Sequence, residues 1–503
     1  MRGEVGKIVG EATPYEFSFQ IYNPLEVKKG DFVKVWNDAD GWFAAYVSEI
    51  KAVSKSDERD GSETYLAKAV VLGKRSGKSI VLPKTPFVPG DRVFKAEEDF
   101  VAECLGFYED GVYLGYLGDT KIKVTLNPNT LVQKHVCILA KTGSGKSYTA
   151  AVIIEELLEK DVALLIIDPH GEYESLKYPN DDESLEEFGL KPKGYADKVK
   201  MFVPPKSPLA DKADGILRLD GINLSAEEII EMGEIRKSSA QAAIYQLIRE
   251  MRGRTYTIQD LIDEAEQLSG NLKAEIIGAL TKIEETDLFS ENPTPIEVLM
   301  QKGKAVILNL AGIDPIHQDI IVAKVCREIF EMRKRGEIDP GMIVVDEAHN
   351  FVPEKGIDKS VSSSVLRTIA SEGRKFALGL MIISQRPARI DKNVLSQCNT
   401  QIILRVTNPN DINSIKRGVE GITSEMVEEI KRLPVGQALV ITPDLERPVI
   451  VRVRTRKSKH KEAEEIIKVE KKKARKEEKK RDSPKKEVKE KKGGFFKKLF
   501  GGD

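Results

Sequence analysis

The sequence predicts a multidomain chain with three unlike parts. A small N-terminal β-barrel or sandwich is expected over residues 1–125, an α/β core over 126–455, and a charged tail over 456–503. Three observations predict this. At 503 residues the chain is too long for one core. Its early apolar segments are short and divided by turns, whereas later ones are unbroken and alternate with helical stretches. From Lys457 onward, Lys and Glu dominate.

In the first part the strand candidates are Phe32–Val35, Phe43–Val47, Tyr65–Val71 and Val112–Tyr116, with turns at Gly30–Asp31 and Pro89–Asp91. No His, Cys or acid cluster there has a catalytic pattern, so assembly or substrate entry is the expected role.

The core is anchored by Ala140-Lys141-Thr142-Gly143-Ser144-Gly145-Lys146-Ser147, between the apolar run Val136–Leu139 and a helix expected from Lys146 to Lys160. A Gly-rich turn feeding a helix N-terminus aims backbone N–H groups and the positive end of the helix dipole at one anion. Gly143, Ser144, Gly145, Lys146, Ser147 and Tyr148 are therefore candidate nucleotide contacts. Lys146 would reach the β- and γ-phosphates and Ser147 would ligate Mg²⁺. Ala140 stands where the full motif has Gly, and is small enough to serve.

Hydrolysis needs a second site. Met342–Val345 reads as a strand buried on both faces, with Asp346 and Glu347 at its carboxyl end, where ligands bind in open α/β sheets. Asp346 would share Mg²⁺ with Ser147, and Glu347 would activate water. Together the two motifs predict an ATPase.

Further strands are expected at Val162–Ile167, Ala305–Leu310, Gly379–Ile383 and Gln401–Val406. The acids end the fourth strand of the core, so an extra strand separates the two motifs. That is the RecA-like arrangement of a P-loop ATPase. Residues 184–301 read as a helical insertion, with amphipathic stretches at Ala240–Met251 and Ile258–Gln267. Gln385, after the Gly379–Ile383 strand, occupies a γ-phosphate sensor position. Arg374 precedes that strand and is a candidate finger for a neighbouring subunit's nucleotide, with Arg367 as substitute. Asp168, His170 and Glu172 are expected near the phosphates or a subunit boundary.

Charge is unevenly spread. Arg456 to Asp503 holds 20 basic and 10 acidic side chains, so against a formal total of −1 the body sits near −11. A broadly basic DNA-coating surface is thereby excluded, and any nucleic-acid contact must be local. The four cysteines (Cys104, Cys137, Cys326 and Cys398) form no close sequence pair, so neither a zinc site nor a disulfide framework is expected. No apolar run reaches spanning length, which predicts a soluble, cytoplasmic protein without stable membrane insertion. The tail tip, Phe495, Phe496, Leu499 and Phe500 among Gly and Lys, reads as a docking peptide or a weak membrane anchor.

The strings "LAKTGSGKS", "IIDPHGEY", "IVVDEAHNFVPE", "SEGRKF" and "ISQRP" together resemble the archaeal HerA family of DNA-translocating ATPases, in order along residues 1–455. The resemblance implies a barrel of the ATP-synthase type, a hexameric ring with ATP at subunit interfaces, and duplex DNA in its channel. It also implies a NurA-type nuclease as partner in DNA double-strand break resection and repair. By position it makes Lys146, Glu347, Arg374 and Gln385 the catalytic set, Ser147 and Asp346 the Mg²⁺ ligands, and Lys134 a basic nucleotide contact. Lys355, Lys359 and Arg389, in loop-like sequence after motor strands, are DNA-contact candidates. Two other readings remain: a membrane-associated secretion or conjugation ATPase, and a nucleotide-gated scaffold that recruits a nuclease.

Overall fold

Two kinds of apolar patterning build two separate sheets. The computed structural model describes residues 3–54, 63–77, 79–419 and 421–460. Along Phe32–Asn37, Val33 and Val35 are buried while Lys34 is half-buried and Trp36 exposed, the alternation of a strand with one face in a core. Strands Glu16–Ile21, Glu4–Ala12, Arg92–Lys95, Phe32–Asn37, Gly41–Ser54 and Glu63–Ser76 pair antiparallel in that order. The last returns to the first, with Phe17 opposite Ala69, so the six strands close into a barrel and leave no free edge. Phe17, Phe19, Val35, Phe43 and Val47 fill it. Gly6 is required by the pairing of Glu4–Ala12 with Glu16–Ile21, since a Cβ there would lie 2.2 Å from the Gln20 carbonyl oxygen.

The second sheet has 12 strands. Eight are parallel, in the order Gly215–Ile216, Val199–Val203, Ala305–Asn309, Ala163–Asp168, Gly341–Val345, Leu378–Ser384, Val136–Leu139 and Thr400–Ile403. Alternate residues of its apolar strands go to opposite faces. Leu165, Ile167, Ile343 and Val345 join one core cluster, and Leu164, Ile166, Met342 and Val344 another. Both faces are covered, which is why these strands read as continuous apolar runs. Leu378–Ser384 lies between the Val136–Leu139 and Gly341–Val345 strands, so one strand separates the two motifs in the sheet; it follows both motifs in sequence and is not one of the strands that intervene in chain order.

Gln437–Ile441, Val449–Val453, Val112–Leu117 and Lys123–Leu126 extend this sheet antiparallel. Here the structure corrects the expected boundary at residue 125. The run Val112–Tyr116 is expected in the N-terminal part, but the strand Val112–Leu117 pairs with Val449–Val453, more than 300 residues away in sequence. Periodicity reports a strand and is silent on its partner. Similarly, the 184–301 insertion is not wholly helical, because Val199–Val203 and Gly215–Ile216 are motor-sheet strands. Its helices are Ala226–Met232, Ser238–Glu250, Ile258–Ala265 and Gly270–Glu285.

The tail also begins later than residue 456. Arg454 and Arg456 are 0% and 1% exposed, among the largest fully buried side chains described. Arg454 Nη2 lies 3.0 Å from Glu155 and 2.9 Å from Glu156, and Lys457 Nζ is 2.8 Å from both Glu156 and Glu159. Ser458 donates to Glu155 Oε1 at 2.6 Å. These glutamates line one side of the helix Lys146–Glu159. A charge run that looks solvated is thus neutralised by a complementary run found only in the fold. The charged stretch beyond His460 and its Phe-rich tip lie outside the described residues. Among those described, no helix is long and apolar enough to cross a membrane.

Candidate nucleotide-hydrolysis site

The P-loop leaves the Val136–Leu139 strand through buried Ala140 and enters the helix Lys146–Glu159. Gly143 and Gly145 hold φ of +75° and +97°, a region that L side chains rarely adopt, and a Cβ on Gly143 would meet nothing within 4 Å. Their glycine identity therefore serves backbone conformation and leaves the loop open to a ligand. Behind it, the Arg405 carbonyl accepts from Lys141 N–H at 2.8 Å and Ser144 Oγ at 3.4 Å. The chain leaves the last parallel strand at Ile403, short of the expected Val406, to make this brace.

Parallel register aligns the strand ends. Leu139 pairs with Ser384, and Ile167 with Val345, so Lys146, Asp346 and Gln385 emerge at one edge. Lys146 Nζ lies 3.1 Å from Asp346 Oδ1, 2.9 Å from Glu347 Oε1 and 3.2 Å from Ser147 Oγ. Ser147 Oγ is 3.4 Å from Asp346 Oδ2. Burial opposes the Lys146 charge, but Asp346 and Glu347 outweigh it and hold the ammonium above its ordinary pKa. Burial likewise pushes the Asp346 carboxyl up against the pull of Lys146, and the Glu347 and Glu172 charges add to that push. Thr142 donates to Gln385 Oε1, placing the expected sensor at the loop's mouth.

Tyr173 was not picked out from sequence. Its hydroxyl donates to Asp346 Oδ2 at 3.1 Å, and burial is the main reason its own pKa is raised. Asp168 brings it there. This fully buried carboxylate accepts N–H bonds from Gly171, Glu172 and Tyr173 at 2.8, 3.0 and 3.1 Å, folding the turn back onto the site. Burial drives the Asp168 pKa up to about 6 despite those donors, and the Asp346 charge contributes. Glu172 is half-buried and adds negative potential at Lys146. His170 is exposed and stands apart from these contacts, a correction to its expected place in the cluster. The sequence expects all three near the phosphates or a subunit boundary, and carries no sign that Asp168 serves its own backbone.

The Tyr148 side chain turns to the C-terminal residues, which leaves its backbone N–H as the expected nucleotide contact. Its hydroxyl accepts from Arg456 N–H at 2.9 Å, and its ring meets the His460 ring edge-on with centroids 5.3 Å apart. It serves the C-terminal clasp. Lys134 and Arg374 sit at the opposite, amino end of the parallel sheet, before Val136 and Leu378 respectively. A four-residue strand spans ~13 Å, so neither side chain adjoins this chain's own P-loop. Arg374 is exposed and makes no side-chain hydrogen bond or ion pair among the described residues. Arg367, the substitute, is engaged by Asp391 at 2.8 Å and is unsuited to reach outward.

Lys355 and Lys359 are exposed on the loop after the hydrolytic strand, and Arg389 lies on the neighbouring loop. Glu354 N–H donates to the Arg389 carbonyl at 2.8 Å, and Lys392 pairs with Glu354 at 2.9 Å, lacing the two loops together. The three cations thus share one edge with the P-loop. A cleft of about 620 Å³ lined by Lys141, Thr142, Gln385, Arg386, Arg389 and Asn408 opens beside it.

Residues 5–78 match the HAS barrel domain, and residues 112–329 match the family described as "Helicase HerA, central domain". The DNA double-strand break repair helicase HerA of Pyrococcus furiosus is 27% identical over 89% of this chain and 92% of its own length. The protein of that name from Saccharolobus solfataricus is 28% identical over 74% of each chain. The structure of VirB4 from Thermoanaerobacter pseudethanolicus aligns with a TM-score of 0.49 and 16% identity, over 69% of this chain and 98% of that one. With its barrel, its P-loop core and these relatives, the chain belongs to the HerA helicase family.

Proposed function

We propose that this protein is a cytoplasmic, ATP-driven translocase of duplex DNA that works as a homo-hexameric ring. In this reading it acts with a NurA-type nuclease in resecting DNA double-strand breaks for repair. One observation carries the enzymatic part: Lys146 Nζ is held between Asp346 and Glu347 beside Ser147, at the carboxyl edge of a parallel sheet.

The ammonium marks a place where a cation is held by hydroxyl and carboxylate oxygens, a donor set that suits Mg²⁺. Ser147 and Asp346 would hold that ion, which neutralises phosphate charge when bound. Tyr173 orients Asp346, and the P-loop N–H groups and Lys146 bind the phosphates. Glu347 takes the proton from attacking water, and Gln385 lines the γ-phosphate side of the pocket. A nucleotide-gated scaffold has no use for a base beside the metal ligand, so buried Glu347 favours hydrolysis over that alternative. The secretion or conjugation reading rests on the Phe-rich tip, outside the described residues.

The DNA part is supported by the relatives named as repair helicases. It is also supported by three cations gathered at the P-loop edge of a body that is otherwise acidic. The ring is supported by exposed Arg374 and by Lys134, which suit a neighbour's nucleotide and not their own. Steady-state ATP hydrolysis with and without linear duplex DNA tests the reading, with Lys146→Ala as the blank. Stimulation that falls steeply with salt is expected. Turnover indifferent to DNA would remove DNA as the substrate and leave the ATPase.

A further inference from the structure

Glu347 is held in an uncommon way. It adopts φ +46°, in the left-handed region, and its side chain is 5% exposed. Oε1 is taken by Lys146 at 2.9 Å. Oε2 is buried and accepts no hydrogen bond, although His349 Nδ1 faces it at 3.3 Å. A buried carboxylate oxygen without a donor is costly unless another state of the site uses it.

His349 is itself 9% exposed, and its Nδ1 lies 3.2 Å from Ser384 Oγ. Ser384 Oγ in turn accepts from Arg386 N–H at 2.9 Å, at the strand end that carries Gln385. A single ring nitrogen therefore stands between an oxygen of the hydrolytic acid and an oxygen of the sensor strand. Burial first, then the Arg386 and Arg389 charges, hold the His349 pKa down to about 4, so the ring is neutral at pH 7 with one N–H to place. Lys146 is the only cation paired with Glu347 among the described residues. Phosphates draw that ammonium toward themselves, and the carboxylate then needs another donor.

We propose that His349 is a positioning residue for Glu347: its Nδ1–H takes over the carboxylate as Lys146 turns to the phosphates, and its alternative partner Ser384 ties that handover to the sensor strand. The inference rests on the reading of Glu347 as the base. The turn Ala348–Asn350 that carries His349 leads directly into the loop bearing Lys355 and Lys359, so a displacement of that loop would reach the imidazole.

The test compares ATP kcat and KM for the full chain carrying His349→Ala, His349→Asn, His349→Phe, Glu347→Gln and the pair Glu347→Gln/His349→Ala. His349→Ala is expected to lower kcat about tenfold while KM moves less than about twofold, the pattern of lost positioning. Asn, which offers an N–H near the Nδ1 position, should restore most of kcat. Phe fills the ring's volume without a donor, so it should unfold at the wild-type temperature with the kcat of the Ala variant. In single-turnover hydrolysis the double variant should be no slower than Glu347→Gln alone, because both changes act through one group. Wild-type kcat in the Phe variant, or losses that multiply in the double variant, would overturn the proposal. Wild-type turnover in Glu347→Gln would instead remove the base assignment, and this inference with it.

Discussion

The two ends of the parallel motor sheet are built on opposite plans. At the carboxyl end the buried ions around the P-loop are answered within the chain: Lys146 has two carboxylates, Asp346 has Lys146 and Tyr173, and Asp168 has three backbone donors. At the amino end Arg374 is exposed with no partner among the described residues, and Lys134 is half-exposed. Burial explains the contrast, since an unpaired ion is tolerated only where water reaches it. The closed end balances its buried ions within one chain, and the open end leaves a cation in solvent, which is the surface the proposed ring would use.

The strongest way to break this comparison is to mix subunits. Arg374→Ala is expected to lower turnover of the assembled ring by about 10³-fold while nucleotide affinity holds, as loss of a finger does. Rings mixed from Arg374→Ala and Lys146→Ala subunits should regain part of the turnover, because the second variant presents its intact arginine to the first variant's intact P-loop. No recovery, measured as ATPase activity against mixing ratio, would place Arg374 outside the neighbour's site.

A second prediction sharpens the closed end. The Asp168 pKa is raised in the fold, so between pH 4 and 6 the folded state keeps a proton that the unfolded state releases. The stability this group contributes therefore falls as pH rises through that window and is level above it. Asp168→Asn should gain on the wild type across pH 4 to 6 by on the order of 2–3 kcal/mol, read from paired denaturant unfolding curves. A constant difference between the two proteins would show that Asp168 titrates normally.

The smallest effect concerns the basic loops at the same edge. Lys355→Ala and Lys359→Ala should each reduce the slope of log affinity against log salt for duplex DNA by about one, without sequence preference. An unchanged slope would return both lysines to ordinary solvated surface.

Much of the site was legible because its chemistry is local. The P-loop needs Gly at two left-handed positions and Lys-Ser at a helix start, and all of these are neighbours in sequence. Asp346 and Glu347 were readable because they close an apolar strand of the kind that both-face burial produces. Tyr173 and His349 have no local signal, since each owes its role to a contact with a residue from another strand end. The Arg454–Ser458 clasp failed to show for a similar reason. Arginines beside a Lys-rich tail read as solvated until the glutamates of the P-loop helix are seen to meet them.

The sequence by itself determined three of the six barrel strands, the positions of six motor strands along the chain and the pair of hydrolytic motifs, because hydrophobic period and turn chemistry act over a few residues. Only the tertiary structure decided which sheet Val112–Leu117 joins, that Asp168 serves its own backbone, and that Lys134 and Arg374 lie a strand's length from the P-loop. Those outcomes depend on pairing between segments far apart in the chain. Backbone hydrogen bonds and buried charges accept whichever partner the fold brings within about 3 Å, and no local pattern names that partner.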